Sequence, residues 1–542
     1  MVSSRARNGF GSSAKIVWNA TNQILLSHST IGGRLLPYNE KLKNILGFLE
    51  NKSIRGDNFN DLTSVILDPR NVQDACEKIV MMPGVFYKNK RSGDVRSNLV
   101  FDFFNKTVVE NVKRGTYKPQ PVLLENRVNA WGKEYTFSVP EFRDCILQQC
   151  IFSVINSIVG PKFSDSSFYR PGCNYSQAIA RVSNLVNHYN NFYLIPLRIE
   201  NAFKNVNHNK LKRQVWALGI HDKKFLWLLS AILRGSNNCR SGVSNSGLLS
   251  NMLINIALNE LDTRIDGMWC DNPVVEKYSV VTNPNGSRNK FAAYNGMRNR
   301  TRICEVRIVR FLDEVLLVCK TEDDAHNVLD SILKWVKNRL GFSVSGSVFD
   351  LRNTGCDFLG FHLKAIPRSK KSKLYTDHFV LRTSVSKDAV RYIGDNLKDN
   401  IKKIQHSSGK SQAKNIAVYN RKVLAFHDYF GIATMVSRDF GDIAHRLSVS
   451  IKNRLGSIVS RKIRGKLSPL EAKLYGDSKQ IRFFTTTMQP LYPIGCIKFR
   501  ILRNKPFSSH CKKETENEKL HDGAPCEVKV SCTVLNGGKE RE

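Results

Sequence analysis

At 542 residues the chain is long enough for two or three domains with sizeable cores, and its 41% hydrophobic and 9% aromatic content excludes a disordered polymer. A formal charge of +36 far exceeds what solubility requires and points to a polyanionic partner, nucleic acid before a membrane surface. No apolar run approaches the roughly 18–20 residues that cross a bilayer, and thirteen cysteines without a CxxC pair argue for a reducing compartment and against a disulfide framework.

The first 39 residues hold four basic residues, many serines and no Asp or Glu, a composition shared by organelle presequences and by basic arms of folded proteins. Residues 38–80 alternate apolar and charged positions at helical spacing. Residues 81–100, rich in Lys, Arg, Gly and Ser, predict a loop. A helix follows over 101–112, an extended exit over 117–122, a strand over 134–140 ending at Pro140, and a helix over 142–159. Residues 192–199 predict a strand despite Pro196, and 247–261 an apolar helix. In residues 307–318 two short, β-branched apolar runs flank Asp313 and Glu314, which predicts strand, tight acidic turn, strand. Residues 322–340 place Ala325, Val328, Leu329, Ile332, Leu333, Val336 and Leu340 on one helical face. Beyond Phe361 the composition shifts: residues 364–503 carry 29 Lys/Arg against 9 Asp/Glu, with helices predicted at 387–404, 413–433 and 439–464. The stretch 505–542 is polar and predicts poor order. It contains His510, Cys511, Cys526 and Cys532, whose spacing fits no zinc-finger pattern.

Phe311-Leu312-Asp313-Glu314 resembles the Tyr-Ala-Asp-Asp hairpin with which reverse transcriptases hold Mg²⁺. Four further segments, in the family's order, resemble that family: 163–173 (Phe-Ser-Asp-Ser-Ser-Phe-Tyr-Arg-Pro-Gly-Cys), Phe203-Lys-Asn-Val-Asn-His208, Gly247 to Asp262, and 353–361 with its Phe-Leu-Gly-Phe. Downstream, Tyr419 to Phe430 and Tyr492-Pro-Ile-Gly495 resemble the maturase domain (domain X) of proteins encoded inside group II introns. The resemblance covers roughly residues 40–500 and implies an α+β fold: the fingers and palm of a right-hand polymerase, then a helical, thumb-like maturase domain. The expected domains are a basic arm and helical lead-in at 1–95, fingers and palm at 96–365, domain X at 366–504 and a polar tail at 505–542.

The departures matter as much. The family reaction needs two Mg²⁺ ions held by carboxylates, one from the first motif and a pair from the hairpin. The resemblance puts the first on Arg198, a group that cannot bind a metal. A guanidinium pointing at a divalent ion from ~4 Å would cost about 8 kcal/mol at an effective dielectric of ~20. Glu200, two residues on and on the same strand face, is the one candidate for a substitute carboxylate. Ser244-Asn245-Ser246-Gly247 stands where relatives have Pro-Gln-Gly-Gly, and a Lys expected within 343–347 is missing. Phe203 is either the aromatic gate of the family or a core residue.

The basic helices keep what the polymerase motifs have lost. Lys402, Lys403, Lys410, Lys414, Arg421, Lys422, Arg446, Lys452, Arg454, Arg461, Lys462 and Arg464, with Tyr419 among interleaved aromatics, are the expected RNA-binding residues. The expectation is a group II intron maturase that binds structured intron RNA in an organelle, a chloroplast before a mitochondrion, with polymerase activity lost. Two alternatives stay open: an active RNA-directed DNA polymerase using Asp313, Glu314 and Glu200, with Asp313 as Mg²⁺ ligand, and a general organellar RNA-binding protein. Mg²⁺ is a cofactor only if polymerase activity remains. A DNA target and a homodimer are left open.

Overall fold

The computed structural model describes residues 40–496 except 81–85, 88–89, 92–96, 130, 171, 236–238, 246, 279–281, 284–285, 287–288, 368–378, 463–464, 466 and 476–480, and before them only 30–31 and 34–35. The presequence question, the tail with its His510–Cys532 cluster, and Arg464 lie outside the described residues.

In chain order the elements are α1 (Glu40–Ile54), α2 (Pro69–Val80), α3 (Ser97–Phe104), β1 (Leu123–Val128), β2 (Glu134–Val139), α4 (Phe142–Val159), α5 (Tyr175–Tyr189), β3 (Tyr193–Ile199), α6 (His208–Ala217), α7 (Lys223–Arg234), α8 (Leu248–Met268) and α9 (Lys290–Arg300). The second half holds β4 (Val306–Phe311), β5 (Glu314–Cys319), α10 (Glu322–Trp335), β6 (Val344–Gly346), β7 (Phe349–Asp350), β8 (Cys356–Phe358), β9 (Phe361–Pro367), β10 (Phe379–Val385), α11 (Lys387–Gln405), α12 (Gly409–Phe430) and α13 (Val436–Leu455). Ser97 already lies in a helix, so the loop expected over 81–100 stops short of it. The helix expected over 439–464 ends at Leu455, and Val459–Ser460 is a strand instead. Among the described residues no helix is long and apolar enough to cross a membrane.

The central sheet has β3 in its middle, antiparallel to β5, which in turn pairs with β4; β6 and β7 pair with the other side of β3. Pro196 explains why that outer strand is split. It has no N–H to give to a ladder. The pairing is interrupted opposite it, yet Val344↔Ile199 and Phe349↔Leu194 belong to one continuous register.

Both faces of the sheet are buried. Ile195, Leu197, Ile308, Val315 and Leu317 pack into a core with α2, α4, α7, α8 and α10. Leu194, Val309, Phe311, Leu316 and Val318 pack on the other side with α5, the sheet β8–β9–β10 and α11–α13. That is why β5 reads as a near-continuous apolar run after Glu314, and why β4, despite Arg307 and Arg310, is buried along its whole length. The α+β, reverse-transcriptase-like arrangement with a helical following unit is thus present, and the helical unit shares a core with the sheet. The expected boundary at 365/366 falls inside β9. Asn420 ties the last described segment to α12, its Nδ2 donating to Pro490 O (2.8 Å) and its Oδ1 accepting from Tyr492 N (2.9 Å).

Candidate active site and nucleic-acid surface

The β4–β5 hairpin turns in two residues, Leu312 and Asp313, with Phe311 opposite Glu314. Leu312 has φ 57, a conformation that a branched side chain rarely adopts and that the surroundings must enforce. Arg310 enforces it. This fully buried guanidinium donates from Nη1 to Leu312 O (2.9 Å) and to Asn255 Oδ1 (2.8 Å), from Nη2 to Ser167 Oγ (3.0 Å), and from Nε and Nη2 to the fully buried Asp262 carboxylate (2.7 and 2.6 Å). All five N–H groups are used. Segment 166–168 lies along the β4 edge, Phe168 N donating to Arg310 O (2.7 Å) and Arg310 N to Ser166 O (2.9 Å). Three separate sequence segments (163–173, 247–262 and 307–318) therefore meet at Arg310. Neighbouring Asp266 accepts from Ser164 Oγ (2.5 Å) and Ser166 Oγ (2.9 Å), and burial raises its pKa to about 6.

Above this floor sit the acidic residues and their neighbours. Arg198 is the cross-strand partner of Glu314 on one side and of Ser345 on the other. It is exposed, and among the described residues it makes no ion pair. Solvent therefore screens it, and the repulsion of about 8 kcal/mol expected for a guanidinium aimed into the site is an upper bound. The carboxylate has another cation at hand. Lys133 Nζ lies 2.8 Å from Glu314 Oε1. The Lys133 pKa is raised: burial alone would lower it, but the charges of Glu314 and then Asp313 outweigh that and the opposing charge of Arg198. Asp313 is held above its ordinary value, by burial first and then by the adjacent Glu314 charge.

Lys133 is delivered by a seated hairpin. In the β1–β2 turn Asn129 Oδ1 accepts from Trp131 N (3.2 Å) and Lys133 N (2.8 Å). Gly132 (φ 91) passes so close to α11 that a Cβ there would stand 2.9 Å from Tyr392 Cβ. Gly360 (φ 79) admits Trp131 in the same way. The Trp131 ring is 5.7 Å from Tyr429 on α12, and the Tyr429 hydroxyl donates to Leu359 O (3.0 Å).

These residues do not fit a two-metal centre. Among the described residues no third carboxylate, His or Cys joins Asp313 and Glu314 in a group able to hold a metal. Glu200, expected as the substitute, is exposed in the turn after β3, its N–H donating to Ser343 O (3.0 Å), and it is not brought to the pair. Phe203 packs, half-buried, against the larger core, which favours its reading as a core residue. Asn245 docks on β2, its carbonyl accepting from Ser138 N (2.9 Å).

Of the expected RNA-binding residues, Lys403, Lys410, Lys414, Arg421, Arg446, Lys452, Arg461 and Lys462 are exposed. Lys402 is half-buried and pairs with Asp399 (3.0 Å), and Arg454 donates to Gln405 Oε1 (2.8 Å). Two are corrected. Tyr419 is 1% exposed and belongs to the core, with Phe426, Tyr429 and Phe430. Lys422 is 4% exposed, its Nζ donates to Asn396 Oδ1 (2.7 Å), and burial lowers its pKa to about 8. Their spacing of three and four residues marks the inner stripe of an amphipathic helix. Sequence reasoning missed Lys133, which carries no local signal. It also missed Arg310, one of two arginines in the six-residue strand β4, which is buried along its whole length.

Residues 137–363 match the family described as reverse transcriptase (RNA-dependent DNA polymerase). The putative COX1/OXI3 intron 2 protein of Saccharomyces cerevisiae is 24% identical over 383 residues, 63% of this chain and 40% of that protein. The group II intron-encoded protein LtrA of Lactococcus lactis subsp. cremoris is 28% identical over 166 residues, 29% of this chain and 27% of that protein. The chain thus covers less than half the length of either relative. Among solved structures, the Candida albicans telomerase with a fragment of telomeric RNA gives a TM-score of 0.29 at 10% identity, over 66% of this chain and 65% of that one, too distant to weigh. By its matched domain and the motifs that converge on Arg310, the chain carries a reverse-transcriptase domain over residues 137–363 and is similar to these intron-encoded proteins.

Proposed function

We propose that this protein is a maturase: it binds a folded group II intron, stabilises its splicing-competent form, and no longer copies RNA. The observation that carries the loss of copying is the cation supplied by the protein itself, Lys133 at 2.8 Å from Glu314, with Arg198 as that residue's strand partner. Where the family's ions would neutralise carboxylates, this chain places the Lys133 ammonium, with Arg198 on the neighbouring strand. Two carboxylates alone are a poor cage for a hard dication that wants six oxygen ligands in tight geometry.

Binding is supported by the exposed cations of α11–α13 and the segment after them, from Lys403 to Lys462. Each phosphate that such a surface neutralises releases counterions, so affinity is high and falls steeply with salt. A folded RNA presents backbone and unpaired bases rather than a readable groove. The transesterifications belong to the RNA, so the protein needs no catalytic group. The relatives, an intron 2 protein and a group II intron-encoded protein, support an intron as partner. An organelle is the proposed compartment, with nothing in the relatives favouring a chloroplast. The test is splicing: a group II intron transcript spliced in near-physiological Mg²⁺ with and without the purified protein. Faster splicing with the protein is expected; an unchanged rate with every candidate host intron removes the reading.

A further inference from the structure

We propose a specific seat for the RNA backbone, resting on the reading of this chain as an intron RNA binder: the cleft between the outer face of β9–β10 and the walls of α11 and α13. The cleft encloses about 620 Å³. Its cations are Lys364, Arg382, Lys387, Arg391, Arg438 and Arg446, all exposed, against two carboxylates, Asp439 and Asp442. Five of the six lie outside the basic residues singled out from the sequence, and together they come from two strands and two helices.

The floor carries the strongest argument. Lys364 and Arg382 are direct cross-strand partners in the antiparallel β9–β10 pair. Like charges placed opposite each other destabilise a sheet. Apolar neighbours on the same strands (Leu363, Ala365, Leu381) face the core, so alternation forces both cations outward. The walls add to the excess. Lys387 and Arg391 stand one turn apart at the start of α11, and Arg438 and Arg446 line α13.

The acids do not cancel this. Asp439 Oδ2 accepts from Val385 N (2.7 Å) and is spent on holding α13 to the end of β10. Arg391 pairs with Asp388 at 3.6 Å, an exposed pair of small worth. Lys364, Arg382, Lys387, Arg438 and Arg446 make no ion pair with a described residue. The cleft is also built rather than flexible: Met435 N donates to Thr383 O (3.0 Å), and Thr383 and Thr434 exchange backbone-to-hydroxyl bonds at 2.9 Å. A concave, preorganised surface with six cations against two lining carboxylates suits consecutive phosphates of an RNA strand.

The experiment uses the full chain and an in vitro transcribed group II intron RNA, with affinity measured across a KCl series. The variant K364Q/R382Q/R438Q is compared with K223Q/K224Q/R213Q, which removes equal charge from exposed positions elsewhere. The cleft variant is expected to lower the slope of log affinity against log salt by about 2 and to weaken binding at least tenfold beyond the control. K364R/R382K/R438K should restore both, which a folding defect would not. A cleft variant indistinguishable from the control overturns the seat and leaves the maturase reading standing. Wild-type protein that fails to bind the transcript overturns both.

Discussion

Arg198 and Glu314 face each other across the two central strands, so a guanidinium shares the sheet rung with a retained acid of the hairpin. The sheet would hold a carboxylate at that rung equally well, because position 198 is exposed and makes no ion pair. Arg198→Asp combined with Lys133→Ala should therefore create a divalent-cation site beside Asp313 and Glu314. The unfolding temperature of the double variant is expected to rise with added Mg²⁺ or Mn²⁺, by the equivalent of about 2.7 kcal/mol at a hundredfold excess over Kd. An identical response in wild type would mean that a site already exists.

The Arg310–Asp262 pair predicts an asymmetric mutational response. Removing either partner leaves a buried, unpaired charge, at about 3–5 kcal/mol. Arg310→Met with Asp262→Leu should cost less than the sum of the single replacements, because neither charge is then left alone. Urea unfolding of the four proteins measures this. Additive costs would show that the pair is not coupled.

Lys422 should behave as a core residue. Its folded pKa of about 8 lies below the ordinary lysine value of 10.5, so the buried ammonium opposes folding below pH 8 and this penalty fades as pH rises toward 10.5. Lys422→Met is expected to stabilise the protein at pH 7 by about 1–3 kcal/mol, less at pH 10, with RNA affinity unchanged. A tenfold loss of RNA affinity in a folded variant would return Lys422 to the binding surface.

His427, 0% exposed and edge-on to Phe440 at 4.7 Å, has its pKa lowered to about 3 by burial. The unfolded chain takes up a proton near pH 6.5 that the folded chain refuses, so stability falls as pH drops from 6.5 toward 3. The slope from this one group is about 1.4 kcal/mol per pH unit. Denaturant midpoints at pH 7, 6 and 5 should show it in wild type, and a shallower dependence in His427→Phe.

Much of the palm is legible in the sequence because its signals are local. The start of α4 is set by Pro140 and by Glu141, whose carboxylate caps Arg143 N (3.0 Å). The β4–β5 hairpin announces itself by two β-branched runs around an acidic turn. What fails is reading function from spacing alone on α12 and α13. Tyr419, Val423, Phe426 and Phe430 recur at three- and four-residue intervals because they face the core, and the same periodicity carried Lys422 into the expected RNA surface. Arg461 and Lys462 extended the helical pattern of α13 past Gly456, where the helix stops. The Lys133–Glu314 contact joins residues 181 apart; only the seating of the β1–β2 turn on α11 and α12 creates it, and no pattern along the chain encodes that.

Primer extension tests the central claim most directly. Purified protein is given a primed RNA template, all four deoxynucleotides and Mg²⁺ or Mn²⁺, with RNA binding followed in the same samples. The account predicts template bound and no primer lengthened. Extension by wild type that disappears in Asp313→Ala would contradict it.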